Sequence, residues 1–219
     1  MKIWHQALVG LISLNKNAKK WLMAPLSLAM LDLQGNQDTY RDPIALLEAL
    51  RRASGKFFVF CQKGQIAVPK TSQLLYSYLE SMVIEVMSPN PHGVFHPKTW
   101  LLRFTSDDGP EIYRFLCLSR NLTFDRSWDN ILTLEGEVGK RRYARNRPLA
   151  DFVKSLPSMG QSLIDPKVLA SIDSLAEKVM RVQFQAPEGF ENLAFWPMGI
   201  PKYHKLPIQG SHPVAAPKP

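Results

Sequence analysis

Cysteine is scarce in this chain: Cys61 and Cys117 are its whole complement in 219 residues. Two thiols make neither a disulfide framework nor the ligand cluster of a structural zinc site. Both stand in apolar runs and read as buried free thiols, which fits a reducing, cytoplasmic setting. Long hydrophobic runs are missing too. Nothing approaches the roughly 20 apolar residues that span a bilayer, and Ile3–Leu14 is interrupted by His5 and Gln6. A secretory leader would need a longer unbroken apolar core and a small-residue cleavage site. The spacing of Leu8, Leu11 and Ile12 predicts an amphipathic helix there. No helix combines a broad apolar face with a basic rim, so no membrane partner is expected. No internal repeat is visible.

Acidic residues are in deficit. Lys and Arg number 27 against 19 Asp and Glu, a net charge of +8. A positive surface raises encounter rates with anions. Nucleic acid is the commonest such partner, with DNA expected ahead of RNA, and phosphate contacts make its binding salt-sensitive. Hydrophobic content of 45% and charged content of 21% are ordinary for a globular chain. This length supports one domain or one and a half.

Along the chain, residues 1–35 read as an N-terminal helical segment. Asp42 and Pro43 supply an N-cap and a first helical position, and Gly55 ends that helix. Phe57–Cys61 has the length and composition of a buried strand. Ser72–Met82 has helical spacing, and Val83–Val86 is a short strand. After the turn at Ser88–Gly93, two strands around Trp100 and Phe115 are followed by a third, Asn130–Val138. On that third strand Glu135 and Glu137 read as one solvated face rather than metal ligands. Helices are expected over Leu149–Leu156 and Lys167–Arg181, with Pro166 at the start of the second. From Gln185 onward seven prolines predict an extended tail, 185–219. The core domain is then 36–184, an α/β unit with a mixed sheet covered by helices on both faces.

Chemistry-bearing residues gather in one place. In Phe95-His96-Pro97-Lys98-Thr99-Trp100 the His and the Lys are two apart, so a strand turns both to one face. A loop at Thr105–Pro110 leads to the apolar run Ile112–Leu118, which delivers Ser119 and Asn121. An imidazole, an ammonium, a hydroxyl and an amide suit displacement at phosphorus. Ser119 and Asn121 also have a plainer reading, as turn residues at a strand end. Trp128 is a core or lid residue, or a platform for a base. The run Lys140, Arg141, Arg142, Tyr143, Ala144, Arg145, Asn146, Arg147 holds five basic residues in eight. It is the candidate contact for a phosphate backbone, or simply a solvated loop.

His96-Pro97-Lys98 with Ser119-Arg120-Asn121 resembles the phospholipase D superfamily, whose signature is His-x-Lys on one strand and Gly/Ser-x-Asn after the next. The Asp that many members carry after the Lys is absent: Leu102 and Arg103 occupy that neighbourhood. The nearer resemblance is to the branch reading His-Lys-Asn, over roughly Asp42–Val138. The resemblance implies a phosphodiesterase, a nuclease in the first place, needing no metal or other cofactor. It implies His96 as nucleophile, Lys98 and Asn121 as ligands of the phosphoryl oxygens, and Ser119 as their helper. It also implies a second histidine, which protonates the leaving group. The family draws this from a second copy of the motif. None is present: in Tyr203-His204-Lys205 the two residues are adjacent and would face opposite ways on a strand. A homodimer, or a missing C-terminal half with a second motif, would complete the site. The alternative is a non-catalytic nucleic-acid-binding or assembly module that retains half of it.

Overall fold

The computed structural model describes residues 56–65, 82–105, 109–120 and 128–203, the backbone of 5–12, and the helical residues Ile44, Glu48 and Arg51. The expected helix over Ser72–Met82 lies outside the described residues apart from Met82.

Seven strands form one sheet: β1 (His5–Ile12), β2 (Phe57–Gln62), β3 (Val83–Val86), β4 (Lys98–Thr105), β5 (Ile112–Leu118), β6 (Ile131–Val138) and β7 (Val182–Phe184). Their order is β3-β2-β1-β4-β5-β6-β7. β1 pairs parallel with β2, and β2 parallel with β3. All other pairings are antiparallel. With helices α1 (Arg147–Ser155) and α2 (Pro166–Val179), the protein is α/β with a mixed sheet.

The N-terminal helix expected at 3–14 is not there. Its residues His5–Ile12 make β1, an interior strand paired on both sides. A strand between two partners tends to read as a continuous apolar run, without the alternation that betrays a half-exposed one. Here the chance spacing of Leu8, Leu11 and Ile12 mimics a helix, and pairing to β2 and β4 overrides it.

The larger core lies between one face of the sheet and the two helices. Phe60, Val86, Leu101, Tyr113, Val153, Leu156, Ile172 and Val179 are there with no measurable exposure. Each such side chain contributes about 1.5–3 kcal/mol through loss of apolar surface to water. The opposite face carries a smaller cluster of Phe57, Val59, Cys61, Met82, Trp100 and Leu102. Helix α2 starts as its sequence demands. Asp165 accepts a bond from the Lys167 amide at 2.7 Å, and Pro166 takes the first position. Gly136 permits the β6–β7 pairing, because a Cβ there would stand 2.4 Å from the Gln183 carbonyl oxygen.

Of the Pro-rich segment expected as an extended tail, 185–219, the described part, 185–203, packs on the core; the remainder lies outside the described residues. Phe195 meets Phe115 and Phe184 edge-on, with ring centroids 5.4 and 5.6 Å apart. Ile200 and Tyr203 are buried in the same cluster. The Tyr203 hydroxyl donates to Asp151 Oδ2 at 2.6 Å, as does Lys202 Nζ. Residues 187–200 thus form a strap tied to α1 at its far end. Proline removes backbone donors but leaves aromatic side chains free to pack, so regular structure is lost while burial is kept.

Asn146 is the one fully buried polar residue of the described chain. Its Nδ2 donates to the carbonyls of Val179 and Val182 at 2.8 and 2.7 Å, fastening the start of α1 to the turn between α2 and β7. Asn146→Ala strands two buried acceptors. It should lower unfolding free energy by about 2–4 kcal/mol, read as a fall in urea midpoint at unchanged slope.

Candidate active site

The parallel strands β1, β2 and β3 all end at one edge of the sheet. β4 begins there, because Ile12 pairs with Lys98. β5 ends there and β6 begins there, because Leu118 pairs with Ile131. This edge therefore collects Lys98, Ser119 and the segment before β4. The carboxyl ends of parallel strands are where α/β sheets habitually place ligands.

His96 precedes β4 rather than lying on it, in a stretch without regular structure running from Val94 to Pro97. Its placement depends on its neighbour. Phe95 is buried, and its amide donates to Gln62 Oε1 at the end of β2, 2.7 Å away. The chain is thus fixed one residue before His96, whose side chain is exposed. Gln62 carried no signal in the sequence. It sits at the end of an apolar run and looks like a loop residue.

Lys98 Nζ lies 2.6 Å from His96 Nδ1 and 3.4 Å from Nε2. An ammonium can only donate, so the imidazole accepts and is neutral. Partial burial, and then the adjacent Lys98, hold its pKa below the ordinary 6.5. Two cationic-capable groups in direct contact form a site poised for an anion. A phosphate oxygen would accept the ammonium's hydrogen bond in place of the imidazole.

Ser119 sits at the same edge but is fully engaged. Its hydroxyl donates to Asp129 and accepts from the Asn130 amide at 3.0 Å, while its own amide donates to the Asn130 carbonyl at 3.0 Å. The plainer reading, a residue closing the turn into β6, describes what is observed. Asn121 lies outside the described residues. Trp128 is 98% exposed, so it is not a core residue.

His96 and Lys98 open onto a cleft of about 760 Å³ between the sheet edge and the strap. Its walls are largely apolar, with Val94, Leu132, Phe190, Trp196 and Met198 all exposed within it. Cys117 also lines it and is exposed, against the expectation of a buried thiol. It ends the β5 face that carries Tyr113 and Phe115, past the limit of the core. Cys61 is buried as expected, and burial followed by the Glu85 carboxylate pushes its thiol up to about 12.

The basic run starts at the other end of the sheet. β6 leads away from Ser119, and the Gly139 amide donates to the carbonyl of Arg181, just before β7 begins. Along β4 this edge is roughly 23 Å from Lys98 at a strand rise of about 3.3 Å per residue. Arg145 donates to the Phe184 carbonyl at 3.1 Å and Arg142 pairs with Glu177 at 3.3 Å. Arg141 and Arg145 both stand over the Tyr143 ring, at 5.6 and 5.5 Å. Lys140 and Arg147 are exposed. Glu135 and Glu137 face solvent as expected, Glu135 paired across strands with Arg114 at 2.8 Å. Among the described residues no group of three or more His, Cys, Asp or Glu could hold a metal. Nor is any described helix long and apolar enough to cross a membrane.

No protein-family model matches the chain, and no curated protein is significantly similar to it. Solved structures of yeast tyrosyl-DNA phosphodiesterase are similar to it in fold. One matches with a TM-score of 0.36 and 20% identity over 61% of this chain and 32% of that one. A mutant of the same enzyme gives 0.36 and 16% over 82% and 40%. The chain thus spans a third to two fifths of the length of that enzyme.

If contact with Lys98 contributes to the low pKa of His96, Lys98→Gln should move the imidazole titration upward towards 6.5. The part caused by burial should remain. Side-chain NMR across pH 4–8 reads both proteins without requiring turnover; identical titration curves would contradict the electrostatic account.

Proposed function

We propose that this protein is a phosphodiesterase, in the first place a nuclease acting on DNA, with His96 as its nucleophile. The observation that carries the reading is the contact between His96 Nδ1 and Lys98 Nζ, 2.6 Å, at the mouth of the cleft. Lys98 is positioned to meet the phosphoryl oxygens, and Asn121 joins it by the resemblance. Ser119 holds the loop into β6 rather than the substrate. In the first step the imidazole forms a P–N bond while the P–O bond to the leaving group breaks. In the second, water attacks the phosphohistidine, the P–N bond breaks, and the phosphate monoester departs. No step draws on a metal.

The contact also sets the order of events. While Lys98 donates to Nδ1, the neutral ring keeps its proton on Nε2. An arriving phosphate draws the ammonium to itself and frees the ring to exchange tautomers. Nucleophilicity then switches on with substrate binding.

The leaving oxygen needs a proton, and His96 cannot attack and donate in one step. Among the described residues, no second histidine lines the cleft. The reading therefore includes a second motif supplied by a twin subunit about a two-fold axis near His96, or by further chain. Phe95 and Trp100 are buried, whereas Val94, Phe190 and Met198 in the cleft, and Trp128, present exposed apolar surface. That same gap favours the other reading, a nucleic-acid-binding module without turnover.

His96→Ala should lower cleavage of labelled DNA in EDTA by about a thousandfold or more, as loss of a nucleophile does. Mass spectrometry should find a phosphohistidine in the wild type only. Mixing the variant with wild-type protein should depress activity faster than dilution if two subunits share the site. Unchanged cleavage in His96→Ala would falsify the assignment. For the basic run, Lys140→Ala with Arg141→Ala should flatten the dependence of log K on log salt by about one unit per lost phosphate contact. The rate at saturating substrate should hold, since the run begins at the opposite edge of the sheet.

A further inference from the structure

The cleft beside His96 is much larger than a phosphate needs, and its walls are of the wrong kind for a chain of phosphates. Among the described residues, no cationic side chain besides His96 and Lys98 lines its 760 Å³. Phe190, Trp196 and Met198 on the strap are 63%, 38% and 76% exposed, and all three line it. The strap is held in this position: Phe195 is locked between Phe115 and Phe184, and Tyr203 is bonded to Asp151. On the sheet side, Thr99 lines the same cleft, and its hydroxyl is buried with no hydrogen-bond partner. An unpaired buried donor is rare and calls for a partner. Thr99 pairs across strands with Cys117, so the two stand together at the sheet edge.

We infer that this cleft seats one unpaired nucleobase of the strand whose phosphate meets His96 and Lys98. The inference rests on the phosphodiesterase reading and narrows its substrate to single-stranded or frayed nucleic acid. A flat ring presents apolar faces to Phe190 and Trp196, where stacking is indifferent to base identity. Its edge offers an acceptor to the Thr99 hydroxyl, which turns about χ1 to meet it. Lys98 and His96 then serve the single phosphate attached to that nucleoside. A base in a duplex is stacked and paired on both sides and would have to leave the helix to enter.

The chain carries its own reporter. Cys117 is exposed in the cleft, whereas Cys61 is buried with its thiol pushed up to about 12. N-ethylmaleimide on the native protein therefore reads Cys117 alone. Saturating thymidine 5′-monophosphate should slow that alkylation about tenfold, as a stacked base excludes the reagent. Ribose 5-phosphate should change it less than about twofold, since it carries no ring to stack. Trp196→Ala and Thr99→Val should each weaken protection by the nucleotide. A hairpin duplex should protect less than a single strand of equal length. Equal protection by nucleotide and ribose 5-phosphate, or none by either, overturns the base seat. The phosphate reading is scored separately, by the shift of the His96 imidazole resonance on adding inorganic phosphate. If that resonance stays still while thymidine alone protects Cys117, the base seat survives and the phosphodiesterase reading falls.

Discussion

Everything at the candidate site hangs on where β1 lies. It is the strand at which the sheet changes character, parallel to β2 on one side and antiparallel to β4 on the other. That change of direction brings the carboxyl ends of β1, β2 and β3 to the same edge as the start of β4. Without β1, Gln62 at the end of β2 would have no fixed relation to Lys98. With it, the Gln62 side chain reaches the Phe95 amide and sets the chain one residue before His96. The chemistry is local, but its geometry is inherited from the interior of the sheet.

A sheet edge alone gives a surface, and the strap turns it into a cleft. The strap has little regular structure, yet it is held at several points by ordinary means. Aromatic edges meet at Phe115, Phe184 and Phe195, and the Asp151 carboxylate gathers Lys202 and Tyr203. Two apolar requirements are met by one segment. Its inward side chains close the core, and Phe190, Trp196 and Met198 remain in the cleft. Charge is distributed the other way round. The densest basic run begins at the opposite edge, partly neutralised by Glu177 and partly stacked on Tyr143. The candidate site at His96 and the densest positive charge therefore lie at opposite ends of the sheet.

The strands on either side of the motif were legible because their patterns are strong. β2 is a block of aromatic and β-branched residues, and β6 alternates between exposed and buried positions over Thr133–Glu137. The helices α1 and α2 were legible from Pro166 and apolar spacing. β1 was not, since a central strand loses its alternation and its residues happened to fit a helical spacing. The strap was misread because proline argues against helices and strands but says nothing about burial. At the site, the spacing of His96 and Lys98 was informative. The role of Ser119 was not: a hydroxyl bound to Asp129 and one bound to a substrate look alike in sequence. Gln62 and Thr99 carried no signal at all, because their importance lies in partners found or lacking in three dimensions.

The position of β1 also bears on how the chain acquires its structure. His5 pairs with Thr105 and Ile12 with Lys98, so the first strand made must wait for the fourth. During synthesis β2 can find both its partners, β1 and β3, while the other side of β1 stays open until Thr105 has emerged. Such non-local pairing slows folding and lengthens the time that strand edges are exposed. The same placement that fixes the candidate site makes the nascent chain a natural client for protection before its sheet can close.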